Sequence, residues 1–319
     1  MAKQKLVMIG NGMAGLRTIE EILERSQSQF DITIIGKEPY PNYNRIMLSN
    51  ILQKKMTVED TIMNPYDWYQ ENNIELINND PVEKVDKENK IVTTSKGIEV
   101  EYDICIFATG SKAFVLPIPG SNLPSVIGWR TIDDTNKMIE IAQTKKRAVV
   151  IGGGLLGLEC ARGLLDQGME VTVLHLADWL MEMQLDRKAG EMLKADLEKQ
   201  GMKIELQANS KEIIGDKDVE AIKLADGRVI ETDLVVMAVG IRPYTEVAKD
   251  SGLDVNRGIV VNDYMQTSDS HIYAVGECAE HDGKVYGLVA PLYEQGKVLA
   301  DYLTGKETKG YKAVSYTHL

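Results

Sequence analysis

The chain has 319 residues, 44% of them hydrophobic and 26% charged, with a formal net charge of −12. That length predicts about two domains, each able to bury a core, and the acid excess disfavours nucleic acid as a partner, which calls for a basic face. No apolar run approaches the roughly 18 residues of a membrane span, and no leader pattern precedes the first strand, so a cytoplasmic location without a membrane contact is expected.

Lys5-Leu6-Val7-Met8-Ile9 enters Gly10-Asn11-Gly12-Met13-Ala14-Gly15, and a helical pattern (Leu16, Ile19, Ile22, Leu23) leaves it. Strand, Gly-x-Gly-x-x-Gly turn and helix in that order are the context of a dinucleotide site. Gly10 permits the tight turn, Gly12 lets a pyrophosphate reach the backbone, and Gly15 lets the helix pack on the strand. Met13 and Ala14 lie at the helix start, where free N–H groups and the helix dipole suit phosphates.

Residues 31–38 read as the second parallel strand. Its end position is Gly36, so Glu38, two residues on, is the candidate acid for the ribose hydroxyls; a plain surface carboxylate is the alternative. Residues 39–45 form a turn-rich loop in which Arg45 either clamps a phosphate or is simply solvated. A short helix over 66–72, a strand over 74–77 and an antiparallel meander over 82–103 follow. A buried strand from Asp103 then ends in Ala108-Thr109-Gly110.

A stretch with Pro117, Pro119 and Pro124 reads as a linker, and residues 131–144 as a helix capped by Thr131 or Asp133. The first pattern then returns: Ala148-Val149-Val150-Ile151 enters Gly152-Gly153-Gly154-Leu155-Leu156-Gly157, and Leu158, Ala161, Leu164 and Leu165 continue as a helix. Residues 170–175 make its second strand, 185–200 a long amphipathic helix, and 211–234 another meander. Gly97 to Asp103 and Gly227 to Asp233 both span six positions, and Asp103 to Ala108 and Asp233 to Ala238 both span five. Each copy ends in Ala-x-Gly, the second at Ala238-Val239-Gly240. This is a repeat on the scale of a domain.

Residues 241–319 begin no third copy. They hold strands near 258–261 and 271–277 and a last helix over 292–304. The strand ending at Gly276 needs a sheet, and the first unit's is the simplest. The expected fold is therefore α/β: two Rossmann-like dinucleotide-binding domains, each a parallel sheet plus an antiparallel meander, with one (114–240) inserted in the other (1–113 and 241–312). Residues 313–319 form a tail whose end, Val314 to Leu319, reads as a truncation scar. Cys105, Cys160 and Cys278 are isolated, so disulfides, zinc and iron–sulfur clusters are not expected. The four histidines lack metal-ligand spacing.

Together these motifs resemble the flavoprotein reductases with two dinucleotide-binding domains, the group of ferredoxin, rubredoxin and glutathione reductases. The resemblance covers about residues 4–312 and adds Glu159, Gly240-x-Arg242-Pro243 and Tyr273-Ala274-Val275-Gly276-Glu277 to the two glycine turns. Three further strings, Tyr43 to Ser49, His175-Leu176 with Leu180-Met181-Glu182-Met183-Gln184-Leu185-Asp186, and Gly276 to His281, are similar to the large subunit of assimilatory NADH-dependent nitrite reductase, as is Tyr286 to Gln295.

The resemblance implies FAD at the first turn and NADH at the second. For FAD it implies Gly10, Gly12, Met13, Ala14, Gly15, Glu38, Ala108, Thr109, Gly110, Gly276 and Tyr293. It also implies Arg45 and Arg130 as flavin-contacting arginines, the backbone of Val82 at the adenine, and Glu277 at the ribitol, where most relatives have Asp. The last helix would aim its N-terminus at the flavin. For NADH it implies Gly152, Gly154, Leu155, Leu156, Gly157 and Gly240. Glu159 is the one catalytic candidate, near the nicotinamide; the alternative is a first-turn acid that favours the helix dipole. His175 fills the strand-end slot where an acid normally marks NAD, and no arginine follows closely to take a 2′-phosphate. NADH is therefore expected over NADPH.

The implied reaction is hydride transfer from NADH to FAD and electron exit to a redox acceptor, either a sirohaem/iron–sulfur domain or a rubredoxin-like protein. A homodimer is compatible with it. Leu48-Ser49-Asn50-Ile51 lacks the cysteine of disulfide reductases, which disfavours thiol chemistry. With three isolated cysteines the chain is expected to act as a diaphorase module and not to reduce nitrite alone. A stand-alone rubredoxin- or ferredoxin-type reductase is the alternative, and a non-catalytic NADH-sensing flavoprotein is an alternative of another class.

Overall fold

The computed structural model describes residues 3–313, and the chain divides into two compact units. The first comprises the chain up to Tyr43, Ile62–Ser111 and the chain from Arg242 on; the second comprises Asn44–Thr61 and Lys112–Ile241.

The first unit is built on a five-stranded sheet in the order Ile272–Ala274, Ile104–Phe107, Gln4–Ile9, Phe30–Ile35, Ile74–Ile77. All its pairings are parallel. Parallel strands are covered on both faces, so they read as unbroken apolar runs. All four residues of Ile104–Phe107 are buried, as are Leu6, Val7, Met8 and Ile9. Helix Met13–Arg25 covers the sheet and packs against helix Val289–Leu303. Gly296 makes that approach close: a Cβ there would lie 2.7 Å from Thr18 Oγ1. The meander is Val82–Asp86, Ile91–Thr94 and Glu99–Glu101, antiparallel throughout. A small sheet of Ile259–Val261, Ala279–His281 and Lys284–Val285 completes the unit.

The second unit repeats the plan. Its parallel sheet runs Val126–Gly128, Leu234–Met237, Arg147–Ile151, Glu170–Leu174, Lys203–Glu205. Its meander is Ser210–Ile214, Ala221–Leu224 and Val229–Glu231. The repeated aspartate now has a reason. Asp103 accepts from the Lys5 N–H at 2.8 Å and returns its own N–H to the Lys5 carbonyl at 2.8 Å. Asp233 does the same with Arg147, at 2.9 Å each way. The aspartate thus ties the start of each central strand to the strand that follows the meander.

Of the two expected caps of helix Ile132–Thr144, Thr131 is the one used, in a capping box with Asp134. Two other elements differ from the expected ones. The last helix begins at Val289, three residues before expectation, because Pro291 falls in the first turn, where N–H groups need no helical partner. The loop after Tyr43 contains the short helix Leu48–Leu52 and groups with the second unit, not with the first as the sequence suggested. Leu52 is fully buried there, and its carbonyl accepts from Gln167 Nε2 at 2.7 Å. Gly163 leaves room for it: a Cβ would lie 2.5 Å from Leu52 Cγ. Val314 to Leu319 lie outside the described residues.

Candidate functional site

Each unit carries a glycine cradle, and the two are built alike. Gly10 and Gly152 both have φ +118°, a region that favours glycine. Their N–H groups donate to Ile35 and Leu174 at 2.8 Å, so each turn is pinned to the end of the neighbouring strand. Helices Met13–Arg25 and Leu155–Asp166 follow Gly12 and Gly154, which have extended backbone, offer no side-chain cap, and are followed by no acid in the first turn. A Cβ on Gly12 or Gly154 would meet nothing within 4 Å, so the space beside each glycine at the helix start is open. Uncapped donors, the positive end of a helix and no competing carboxylate make an anion site. A pyrophosphate fits both cradles.

The Ala-x-Gly motifs complete them. A Cβ on Gly10 would come 2.2 Å from the Ala108 carbonyl oxygen, and one on Gly15 would come 2.9 Å from Ala108 Cβ. In the second unit a Cβ on Gly152 would come 2.3 Å from the Ala238 oxygen, and one on Gly157 would come 2.0 Å from the Gly152 oxygen. The alanine is therefore the small wall on which the glycine turn rests. Beyond it, Gly110 (φ +65°) and Gly240 (φ +107°) turn the chain in the left-handed region. Thr109 is spent locally, its hydroxyl donating to the Tyr244 carbonyl at 2.8 Å.

Around the first cradle lies a network that sequence reasoning missed. Tyr69, 2% exposed, donates its hydroxyl to Asn11 Oδ1 at 2.8 Å and accepts from the Asn42 N–H at 3.1 Å. Asn42 Nδ2 donates to the Asn11 carbonyl at 3.1 Å. Burial pushes the Tyr69 phenol up to about 12, so it remains a donor. The available signal was an asparagine inside the glycine turn together with a polar loop around Asn42.

Glu38 is half-buried at the end of the second strand and accepts from the Tyr43 hydroxyl at 2.7 Å. Val82, 9% exposed, opens the first strand of the meander, opposite Thr94. Gly276 (φ +87°) turns beside Ala14: a Cβ would lie 3.0 Å from Ala14 Cβ. Its N–H donates to Oε1 of the fully buried Gln295 at 2.9 Å. Glu277 is the one residue from Ile272 to His281 that is not buried, and it accepts from the Ser111 hydroxyl at 2.7 Å. Tyr293 lies 6.0 Å from the Arg17 guanidinium, a packing contact with the first cradle helix.

In the second unit, Leu155 and Leu156 are 60% and 41% exposed at the helix start. Glu159 is the fifth residue of helix Leu155–Asp166, past the first turn, which removes the helix-dipole alternative. Burial raises its carboxyl above the usual range, with a hydrogen bond from Ser49 opposing. Arg45, in the short turn Arg45–Met47, donates to the Arg130 carbonyl at 3.0 Å, so these two arginines come together.

His175 is buried, and both ring nitrogens are engaged. Nδ1 accepts from the Gly153 N–H at 3.0 Å, and Nε2 lies 2.9 Å from Glu182 Oε2. The Gly153 carbonyl accepts from the Met181 N–H at 3.1 Å, which latches the following loop to the cradle. His175 thus holds the turn and the loop, and its ring is not open to a ligand in the way the sequence suggested.

All three cysteines are free and fully buried, and burial pushes their thiols up. Among the described residues no histidine, cysteine or carboxylate cluster could hold a metal, and no helix is long and apolar enough to cross a membrane.

A model of the pyridine nucleotide-disulphide oxidoreductase family matches residues 4–296. The chain is 57% identical over 312 residues to a nitrite reductase [NAD(P)H] of Bacillus subtilis, covering 98% of this chain and 39% of that protein. It is 47% identical over 312 residues to the assimilatory nitrate reductase electron transfer subunit of Bacillus subtilis, covering 98% of this chain and 40% of that one. Among solved structures, NADH:rubredoxin oxidoreductase of Clostridium acetobutylicum superposes with a TM-score of 0.83 at 31% identity, covering 98% of this chain and 78% of that one.

Proposed function

The chain belongs to the pyridine nucleotide-disulphide oxidoreductase family and is an NAD(P)H-dependent flavoprotein oxidoreductase using FAD and NAD(P)H; on that premise we propose that it is the electron-input module of a nitrite-reductase-type large subunit. It takes reducing equivalents from NADH and passes them to a redox domain or protein. The observation that carries this reading is the duplicated cradle, with matching turns at Gly10 and Gly152 and open, uncapped helix starts at Gly12 and Gly154.

Hydride acceptance and onward electron release are supplied by the cofactors when bound. The chain's residues bind and orient. The first cradle, with Gly276, Glu277 and Glu38, would hold FAD by backbone N–H groups and carboxylates. The second, with Leu155, Leu156, Glu159 and Gly240, would hold NADH. Arg45 and Arg130 would contact the flavin cofactor, and Val82 would present its backbone to adenine. No thiol takes part, since the three sulfurs are buried.

The chain spans 39% and 40% of the two Bacillus subtilis relatives, and with three isolated cysteines it supplies electrons and does not reduce nitrite alone in this reading. A stand-alone rubredoxin-type reductase is the second reading, favoured by the 78% of the Clostridium enzyme that this chain covers, against 39% and 40% of the Bacillus subtilis relatives. A cytoplasmic location and a homodimer complete the proposal. The test is an acceptor comparison with purified chain and NADH. Fast reduction of ferricyanide is expected, with no nitrite consumed. A yellow protein that binds NADH and reduces no acceptor would support the NADH-sensing alternative instead.

A further inference from the structure

We propose that Glu182 is the carboxylate that receives the adenosine ribose of NADH and turns away a 2′-phosphate, with His175 as the residue that positions it. This rests on the reading of the second cradle as the NADH site.

Dinucleotide folds select NAD by an acid at the end of the second strand, which accepts the ribose hydroxyls and repels the phosphate of NADP. Here that position is His175, so the strand itself brings no acid. The side chain of His175 is 9% exposed and cannot replace one. Its hydrogen bonds say what it does instead. The Gly153 N–H can only donate, so Nδ1 is the acceptor and the ring proton sits on Nε2. Nε2–H then donates to Glu182 Oε2 at 2.9 Å.

Glu182 comes from the loop after the strand. Met181, at φ +54°, turns the chain, and its N–H is tied to the Gly153 carbonyl. A carboxylate is thereby fixed beside the strand end, seven residues downstream of the usual position. Oε1 has no partner among the described residues, and the side chain is 35% exposed, so an acceptor remains for a hydroxyl. Residues 176–186 contain no lysine or arginine to neutralise a 2′-phosphate. Arg187, the first cation beyond them, is paired with Asp178 and stacked 4.9 Å from the Trp179 ring centre.

The test uses the full flavin-loaded chain and two probes, ADP-ribose and its 2′-phosphate, with binding read by calorimetry. The wild type is expected to bind ADP-ribose at least about tenfold tighter than the 2′-phosphate. Glu182→Gln should weaken ADP-ribose about tenfold and collapse the ratio between the probes. His175→Gln should lower the same ratio and add little to Glu182→Gln in the double variant, which a merely structural role would not produce. Glu182→Asp, too short to reach, is the second variant.

If Glu182→Gln and Glu182→Asp both keep the wild-type ratio with native flavin spectra, the assignment of Glu182 fails and the NADH reading stands. If the wild type binds neither probe, both fall together.

Discussion

The carbonyl oxygen of Ala108 occupies the space that a side chain on Gly10 would need, 2.2 Å from an ideal Cβ. Ala238 stands in the same relation to Gly152, at 2.3 Å. Alanine substitution at either glycine meets backbone, which cannot yield as a flexible side chain would, and imposes a strained φ of +118°. Each is expected to cost about 2–4 kcal/mol of stability. Gly10→Ala should purify without flavin colour. Gly152→Ala should stay yellow and lose reduction by NADH. Flavin content and NADH bleaching of the two variants check this, and equal effects on both functions would contradict separate cradles.

Tyr69 bridges the glycine turn and the loop after the second strand. Tyr69→Phe leaves the N–H of Asn42, 1% exposed, and Asn11 Oδ1 without their partner. A loss of about 1–3 kcal/mol is expected, with faster release of FAD on dilution. Melting and flavin fluorescence measure the two effects. Unchanged release with lowered melting would make the network structural only.

Glu159 carries a pH signature. Burial raises its carboxyl in the folded chain above its ordinary 4.5. Upward from that value the folded state therefore binds more protons than the unfolded state, and stability falls as pH rises through the window. Glu159→Gln removes the effect. Its melting temperature relative to wild type should rise from pH 4.5 to neutral pH. Parallel curves would show that the carboxyl titrates normally.

The cysteines give a negative test. Cys105, Cys160 and Cys278 are fully buried with raised thiols, and reactive cysteines need exposed thiolate. A thiol reagent should modify none of the three in the native chain, all three after denaturation, and leave NADH:ferricyanide activity unchanged. Inactivation by a single modified cysteine would reopen thiol chemistry.

What could be read in advance follows from how local each feature is. The cradles were legible because strand, glycine turn and helix lie within about a dozen neighbouring residues, and the meanders because their alternation is local. Even the Ala-x-Gly repeat showed in the spacing, although its reason, a carbonyl against a glycine, needs two strands side by side. The attachment of residues 44–61 was not legible: Leu52 fits above Gly163 only once a distant helix is folded. Nor was the use of His175, whose partners Gly153 and Glu182 come from opposite sides along the chain. An empty acid slot at a strand end was visible; that a loop carboxylate stands beside it was not.

The central claim is that this chain moves electrons from a nicotinamide to a flavin, and anaerobic titration of the purified yellow protein with NADH tests it most directly. The visible flavin band should bleach at about one NADH per FAD and return when ferricyanide is added. A folded protein that stays colourless after incubation with FAD, or a yellow one that excess NADH leaves unbleached, would contradict it.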